Sequence, residues 1–272
     1  MRTRLPLMLL PALLAAACTD STPTAVDSAA LGPVASAKRD APVALASTSV
    51  VMSNLNSPRG LAWGPGGALY VAEAGATSVQ GPCAPVPRGA NCYSGMGAIS
   101  RLWKGAQERI ITGLPSVFNA TTGDITGPHD IDFQGRGNGY VTIGWRGPPA
   151  ARAALGALGA SFGTLNKLRP SGGWSIEADI SNFEAANNPE GTILGSNPYG
   201  VLTEPGRELV TDAGGNSLLE VAANGTVSLV ATFPRIPAPP PLGESEQVPT
   251  EVVRGPDGAL YVSTLTGVPF TN

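Results

Sequence analysis

The sequence predicts an all-β protein, a β-propeller of four-stranded blades with about three and a half blades present of an expected six or so. Three observations predict it. First, the 272 residues include 35 Gly and 26 Pro. Each costs a helix interior roughly 1 to 3 kcal/mol, which excludes a helical bundle, and no Gly-X-Y period exists to suggest collagen. Second, hydrophobic residues reach 42% while charged residues stay at 14% and the formal net charge is −3. A chain of that composition buries a core and is not disordered throughout. Third, one unit recurs four times, and self-similarity at this spacing marks a repeat architecture.

Residues 1–17 read as an export signal. Arg2 and Arg4 form the basic start, Leu5 to Leu14 the apolar run, and Ala15-Ala16-Ala17 the small-residue exit. The run is too short to span a bilayer, which takes about 20 residues. Cys18 follows directly, and Leu14-Ala15-Ala16-Ala17-Cys18 resembles a lipobox whose Cys is lipidated, although Ala15 stands where Leu is usual. The alternative is an ordinary signal with an incidental Cys. Residues 18–48, rich in Ser, Thr, Ala and Pro and without aromatics, read as a lipidated Cys followed by a flexible tether. Residues 49–272 are the folded region, a partial propeller. Loss of Arg2 and Arg4 leaves 15 basic against 20 acidic residues, a net of −5. That balance lacks the basic footprint nucleic acid requires.

The repeats align without gaps on a proline. They begin at Pro58, Pro128, Pro198 and Pro249, spaced 70, 70 and 51 residues apart, with Tyr70, Tyr140, Val210 and Tyr261 each 12 residues on. Between the two ends stand Gly64-Pro65-Gly66-Gly67, Gly135 to Asn138, Glu204 to Arg207 and Gly255-Pro256-Asp257-Gly258. Each unit is therefore a strand, a tight turn and a second strand. Ala98 to Leu102 with Glu108 to Ile111 supplies strands three and four of the first blade, and Ser217 to Val221 with Thr226 to Ala231 those of the third. The second blade carries insertions: Pro149 to Leu158 and Asn182 to Asn188 read as short helices. Arg235 to Gly243, with three consecutive prolines, reads as a surface loop. A β-sandwich of similar hairpins is the competing architecture. The fourth unit holds two strands of four. The expectation is a chain truncated before its remaining blades; the alternative is a short chain that closes by oligomerising.

Cys83 and Cys92 sit in a loop-like stretch with eight residues between them and no His or carboxylate among those eight. In an exported chain this reads as a disulfide rather than a metal site.

With these motifs in place, the chain resembles the ScyD/ScyE family of exported propeller proteins. The matching stretches run in order from Ser57-Pro58-Arg59-Gly60-Leu61, Gly64 to Glu73 and Gly81-Pro82-Cys83, through Gly127-Pro128-His129-Asp130, Phe133 to Asn138 and Tyr140 to Gly144. They continue with Asn197-Pro198-Tyr199-Gly200, Asp212 to Leu219 and Gly255 to Val262. The resemblance covers about 50–272, and it implies an exported propeller with further blades, without implying a mechanism.

In a propeller the ends of the inner strands face the central channel. The residues after each repeat proline therefore become candidate ligand contacts: Arg59, His129, Asp130, Tyr199 and Glu251, beside Thr250. His129 is the one His in the chain, and with Asp130 it would serve as a base, a metal ligand or a hydrogen-bonded tie between blades. Glu73 and Asp212, which end second strands, and Asn216 form a weak candidate set for a hard cation such as Ca²⁺. Lactonases of the gluconolactonase type assemble Glu, Asn and Asp in this way. Asp212 to Asn216 also reads as an ordinary turn in which Asp and Asn bond their own backbone. There is no P-loop, C-x-x-C or H-E-x-x-H. The leading functional reading is an envelope-anchored module that binds a small molecule or envelope protein through its channel face. Its membrane contact would be the lipid anchor alone, and it would have no nucleic-acid partner. A metal-dependent propeller hydrolase or lactonase and a structural scaffold are the alternatives.

Overall fold

The computed structural model describes residues 48–267, apart from positions 136, 170, 171, 192, 193 and 242. The chain divides into two units, Met1–Ser49 and Val50–Asn272. The export signal, Cys18 and nearly all of the tether lie outside the described residues. No helix among the described residues is long and apolar enough to cross a membrane.

The second unit is a succession of antiparallel meanders. In chain order the strands begin with β1 (Pro58–Trp63), β2 (Leu69–Glu73), β3 (Cys83–Val86), β4 (Gly89–Tyr93), β5 (Gly97–Trp103) and β6 (Ala106–Leu114). Next come β7 (Val117–Asn119), β8 (Asp124–Thr126), β9 (Pro128–Gln134) and β10 (Asn138–Ile143), then β11 (Thr164–Leu168), β12 (Trp174–Asp179) and the helix α1 (Ile180–Asn187). The chain continues through β13 (Pro198–Glu204), β14 (Arg207–Asp212), β15 (Ser217–Ala222) and β16 (Val227–Thr232). It closes with β17 (Ile236–Ala238), β18 (Gly243–Ser245), β19 (Gln247–Arg254) and β20 (Leu260–Thr266). Three four-stranded sheets, β1-β2-β5-β6, β9-β10-β11-β12 and β13-β14-β15-β16, are the blades, and β19-β20 is the two-stranded fourth unit. The ring of blades is not closed among the described residues. The predicted all-β class and the predicted strand pairs hold.

The cores lie between consecutive blades, because the second strand of each blade buries both faces. Tyr70, Ile99, Ile131, Val141, Ile143 and Phe162 fill the space between blades one and two. Tyr140, Leu165, Val201, Val210 and Leu219 fill the next, and Leu209, Leu218 and Val252 the third. Tyr140 and Val141 face different cores, as do Leu209 and Val210, which is the period of two expected of a strand. Burying each such side chain contributes about 1.5 to 3 kcal/mol.

In the first and fourth units the turn has a packing cause. At Gly64 and Gly255 a Cβ would stand 2.6 Å from the Tyr70 ring and 2.3 Å from the Tyr261 ring. In both units the Gly N–H also donates to the carbonyl four residues on, at Ala68 and Ala259. In these two units the aromatic ring thus packs against the turn that precedes it and leaves no room for a Cβ.

Each inner strand begins with the same irregularity. A β-bulge follows the repeat proline in β1, β9, β13 and β19. Bulges re-aim side chains, and here one determines what faces the channel end of every inner strand.

Three segments differ from expectation. The stretch around the cysteines is the hairpin β3–β4, with Cys83 and Cys92 directly opposite and joined by the expected disulfide. That hairpin continues into a four-stranded sheet, β3-β4-β7-β8, inserted around the end of blade one. The Ala-rich segment is a 3-10 turn series over Pro149–Ser161, broken at Gly156 with φ +62°. Residues 235–243 fold partly into the β17–β18 hairpin. The helix α1 is capped by Asp179, whose carboxylate accepts from the Asn182 N–H at 2.8 Å.

Candidate functional site

A cavity of about 600 Å³ lies over the proline ends of the inner strands. Arg59, His129, Tyr199 and Thr250, each one residue past a repeat proline, line it. The inserted sheet supplies a second wall through Val86, Arg88, Asn91, Asp124 and Ile125. That wall is tied to the blades at three places. Arg59 Nη2 donates to the Ile125 carbonyl at 3.0 Å, Asn91 Nδ2 to the Trp145 carbonyl at 2.9 Å, and Arg146 pairs with Asp124 at 2.5 Å.

His129 is buried, and its Nδ1–H donates to the Pro198 carbonyl at 3.0 Å. Burial first, and then the charges of Arg59 and Arg146, push its pKa down to about 3. The imidazole is neutral at physiological pH, with Nδ1 protonated and Nε2 the acceptor. Tyr199 packs on it at a ring separation of 4.5 Å. Arg59 and the Asp124-paired Arg146 thus stand near this end of the cavity, and an aromatic surface lies beside it.

One residue further along, the register turns away from the cavity into the seam between inner strands. Asp130 Oδ2 accepts from the Val201 N–H at 2.9 Å, and Asp132 Oδ2 from the Thr203 N–H at 2.7 Å. Burial, then the field of Glu251, pushes Asp130 up to about 7. Glu251 is raised too, chiefly by burial, and its carboxylate accepts from the Val252 N–H. The facing residues are glycines for lack of space. A Cβ at Gly60 would stand 2.7 Å from Asp130 Cα, and one at Gly200 2.9 Å from Glu251 Cα. Acid and glycine thus alternate around the seam. The structure places Arg59, His129 and Tyr199 at the cavity, and Asp130 and Glu251 in the seam.

The three cation candidates do not form one group. Glu73 and Asp212 occupy equivalent places, opposite Pro58 and Pro198, and each is fully engaged. Glu73 accepts from the Asn56 N–H, Ser100 Oγ and Arg109, with Arg109 Nη2 at 2.8 Å. Its pKa is lowered because these bonds outweigh burial. Asp212 accepts from the N–H groups of Asn197, Gly214 and Gly215 and from Ser196 Oγ, while burial raises its pKa. Asn216 lines the cavity and donates to Glu190 Oε2 at 3.0 Å. Among the described residues no three His, Cys, Asp or Glu side chains are placed to hold a metal ion together.

Sequence reasoning passed over Asp132, Arg146, Asp124 and Glu184. Asp132 carried a signal, since it stands two residues after Asp130 with strand periodicity. Arg146 and Asp124 carried none, because the pairing depends on the inserted sheet.

No family model and no curated protein matches the chain. Solved structures similar to it include a streptogramin B lyase, at 16% identity over 80% of this chain and 54% of that one, TM-score 0.40. A luciferin-regenerating enzyme is similar at 15% identity over 76% and 52%, TM-score 0.42. The PQQ-bound aldose sugar dehydrogenase of Streptomyces coelicolor is similar at 18% over 80% and 77%, TM-score 0.36. The matched region spans about half the length of the first two.

Proposed function

We propose that this chain is an exported ScyD/ScyE-like propeller, anchored through Cys18, that binds a small organic anion in the cavity at the ends of its inner strands. One observation carries the reading: the residue after every repeat proline, on four successive inner strands, contributes to a single cavity of about 600 Å³. That volume is of the size small-molecule sites have. The chemistry of the walls supports an anion with an apolar body. Arg59 places a guanidinium at the His129 end, and Tyr199 offers a face for a ring or chain. A neutral His129, its Nδ1–H held by the Pro198 carbonyl, leaves Nε2 as an acceptor and adds no charge.

The test is ligand-observed NMR of the protein against a set of small carboxylates and phosphates, with Arg59→Ala and Tyr199→Ala as controls. Binding that both substitutions weaken supports the reading. Binding that neither affects, or none at all to a folded protein, defeats it. Radiolabelled fatty-acid incorporation that disappears in Cys18→Ala supports the anchor, and no incorporation into wild type removes it.

A further inference from the structure

A second place on this unit collects oxygen atoms with nothing to bond. Glu184 Oε1, Asn188 Oδ1 and Asn216 Oδ1 are buried and have no hydrogen-bond partner. The residues of two of them are almost wholly enclosed, Glu184 at 1% exposure and Asn216 at 3%.

These atoms come from two segments in contact. Glu184 lies on α1, and Asn188 caps its C-terminus with φ +36°, its N–H donating to the Glu184 carbonyl at 2.9 Å. Asn216 ends the turn that follows β14. At Gly215 in that turn a Cβ would stand 2.7 Å from Glu184 Oε2 and 3.4 Å from Asp212 Oδ2, so helix and turn meet there. Asn216 Nδ2 donates to Glu190 Oε2 at 3.0 Å, which leaves its carbonyl oxygen without a donor. Burial first, then the charges of Asp212 and Glu190, push Glu184 up to about 7. The Gly195 N–H bonds the same carboxyl, and the place remains rich in acceptors. A single water offers two protons to three acceptors and offsets no charge.

We propose that Glu184, Asn188, Glu190 and Asn216 bind a hard divalent cation, with Ca²⁺ the ion whose chemistry fits. The donors are all oxygen, from two carboxylates and two amides, a mixture Ca²⁺ accepts at variable geometry. Mg²⁺ demands a stricter octahedron, and metals that prefer nitrogen or sulfur find neither here. Asp212 is not a ligand, because its oxygens are engaged by backbone N–H groups and Ser196; it holds the turn in place and adds charge. Asn216 also lines the cavity, so the ion would brace the cavity wall against the end of α1. The proposal stands independently of what the cavity binds.

The test is isothermal titration of Ca²⁺ into the chelator-stripped full chain, with Glu184→Gln and Asn216→Ala as variants and near-UV circular dichroism to confirm folding. The expected result is one Ca²⁺ site that stabilises the protein thermally, with affinity falling about tenfold or more in each variant. Mg²⁺ should bind more weakly. No Ca²⁺ binding to folded wild type, or binding that both variants leave unchanged, overturns the proposal.

Discussion

Replacing Asp130 with Asn should make the protein less sensitive to alkaline pH, with a magnitude that follows from the seam between blades. The Asp130 side chain accepts from the Val201 N–H at 2.9 Å, and the residue is 6% exposed. Its pKa rises from 3.8 to about 7, by burial first and then by the field of Glu251. A carboxyl whose folded pKa lies above its unfolded value contributes stability that is fully present below about pH 3.8. That stability is lost as pH climbs through the folded value. Three units at about 1.4 kcal/mol each make a loss of about 4 kcal/mol, of which ~3 kcal/mol falls between pH 5 and pH 8. Asn keeps an acceptor for Val201 and has no proton to lose. The stability of Asp130→Asn minus that of wild type should therefore rise by about 3 kcal/mol from pH 5 to pH 8. Urea denaturation at unit pH steps measures it. Parallel curves for the two proteins would refute the reasoning, because Asp130 would then ionise as freely folded as unfolded.

Three further outcomes follow from the same contacts. Gly200→Ala puts a Cβ 2.9 Å from both Glu251 Cα and the Thr250 carbonyl. Two inner strands must separate, at a cost of about 1 to 3 kcal/mol in denaturation experiments; an unchanged midpoint would mean the seam is looser than described. Arg109→Ala strands Glu73, which is 0% exposed. The expected loss is about 2 kcal/mol, below the ~3 to 5 for a fully buried pair because the Arg109 side chain is 36% exposed. Adding Glu73→Gln should recover part of it, and no recovery would mean the loss is not one of charge. The double substitution Cys83→Ser, Cys92→Ser releases a cross-link spanning nine positions. It should lower stability by about 2.5 kcal/mol on chain-entropy grounds, with faster proteolysis localised to β3 and β4 by mass spectrometry.

The repeat made the blades legible in the sequence. Pro58, Pro128, Pro198 and Pro249 share a register with Tyr70, Tyr140, Val210 and Tyr261, and Gly64 and Gly255 have a local cause in ring packing. The disulfide was legible for the same local reason, since its two cysteines face each other across one hairpin. Which neighbour faces the cavity was not legible. His129 and Asp130 are adjacent, so they point to opposite sides, and the register shift after Pro128 bears on which of the two meets the cavity. The inserted sheet was hidden because β4 pairs with β7, far along the chain and across two strands of another sheet. Glu184 had no motif at all. Its surroundings are built by the turn at residues 212–216, and nothing in the pattern of α1 shows that a charged side chain is enclosed there.

The most direct measurement uses the chain's single histidine. In protein labelled with ¹⁵N-histidine, the imidazole of His129 gives one pair of ring-nitrogen signals, and both belong to the cavity. With the ring buried beneath Tyr199 and bonded to the Pro198 carbonyl, its pKa lies at about 3. The signals should therefore hold the neutral, Nδ1-protonated pattern from pH 8 down to pH 5, and should move when a carboxylate that needs Arg59 is added. An imidazole that titrates near 6.5, or that stays still while such a ligand binds, would contradict the cavity and its proposed use together.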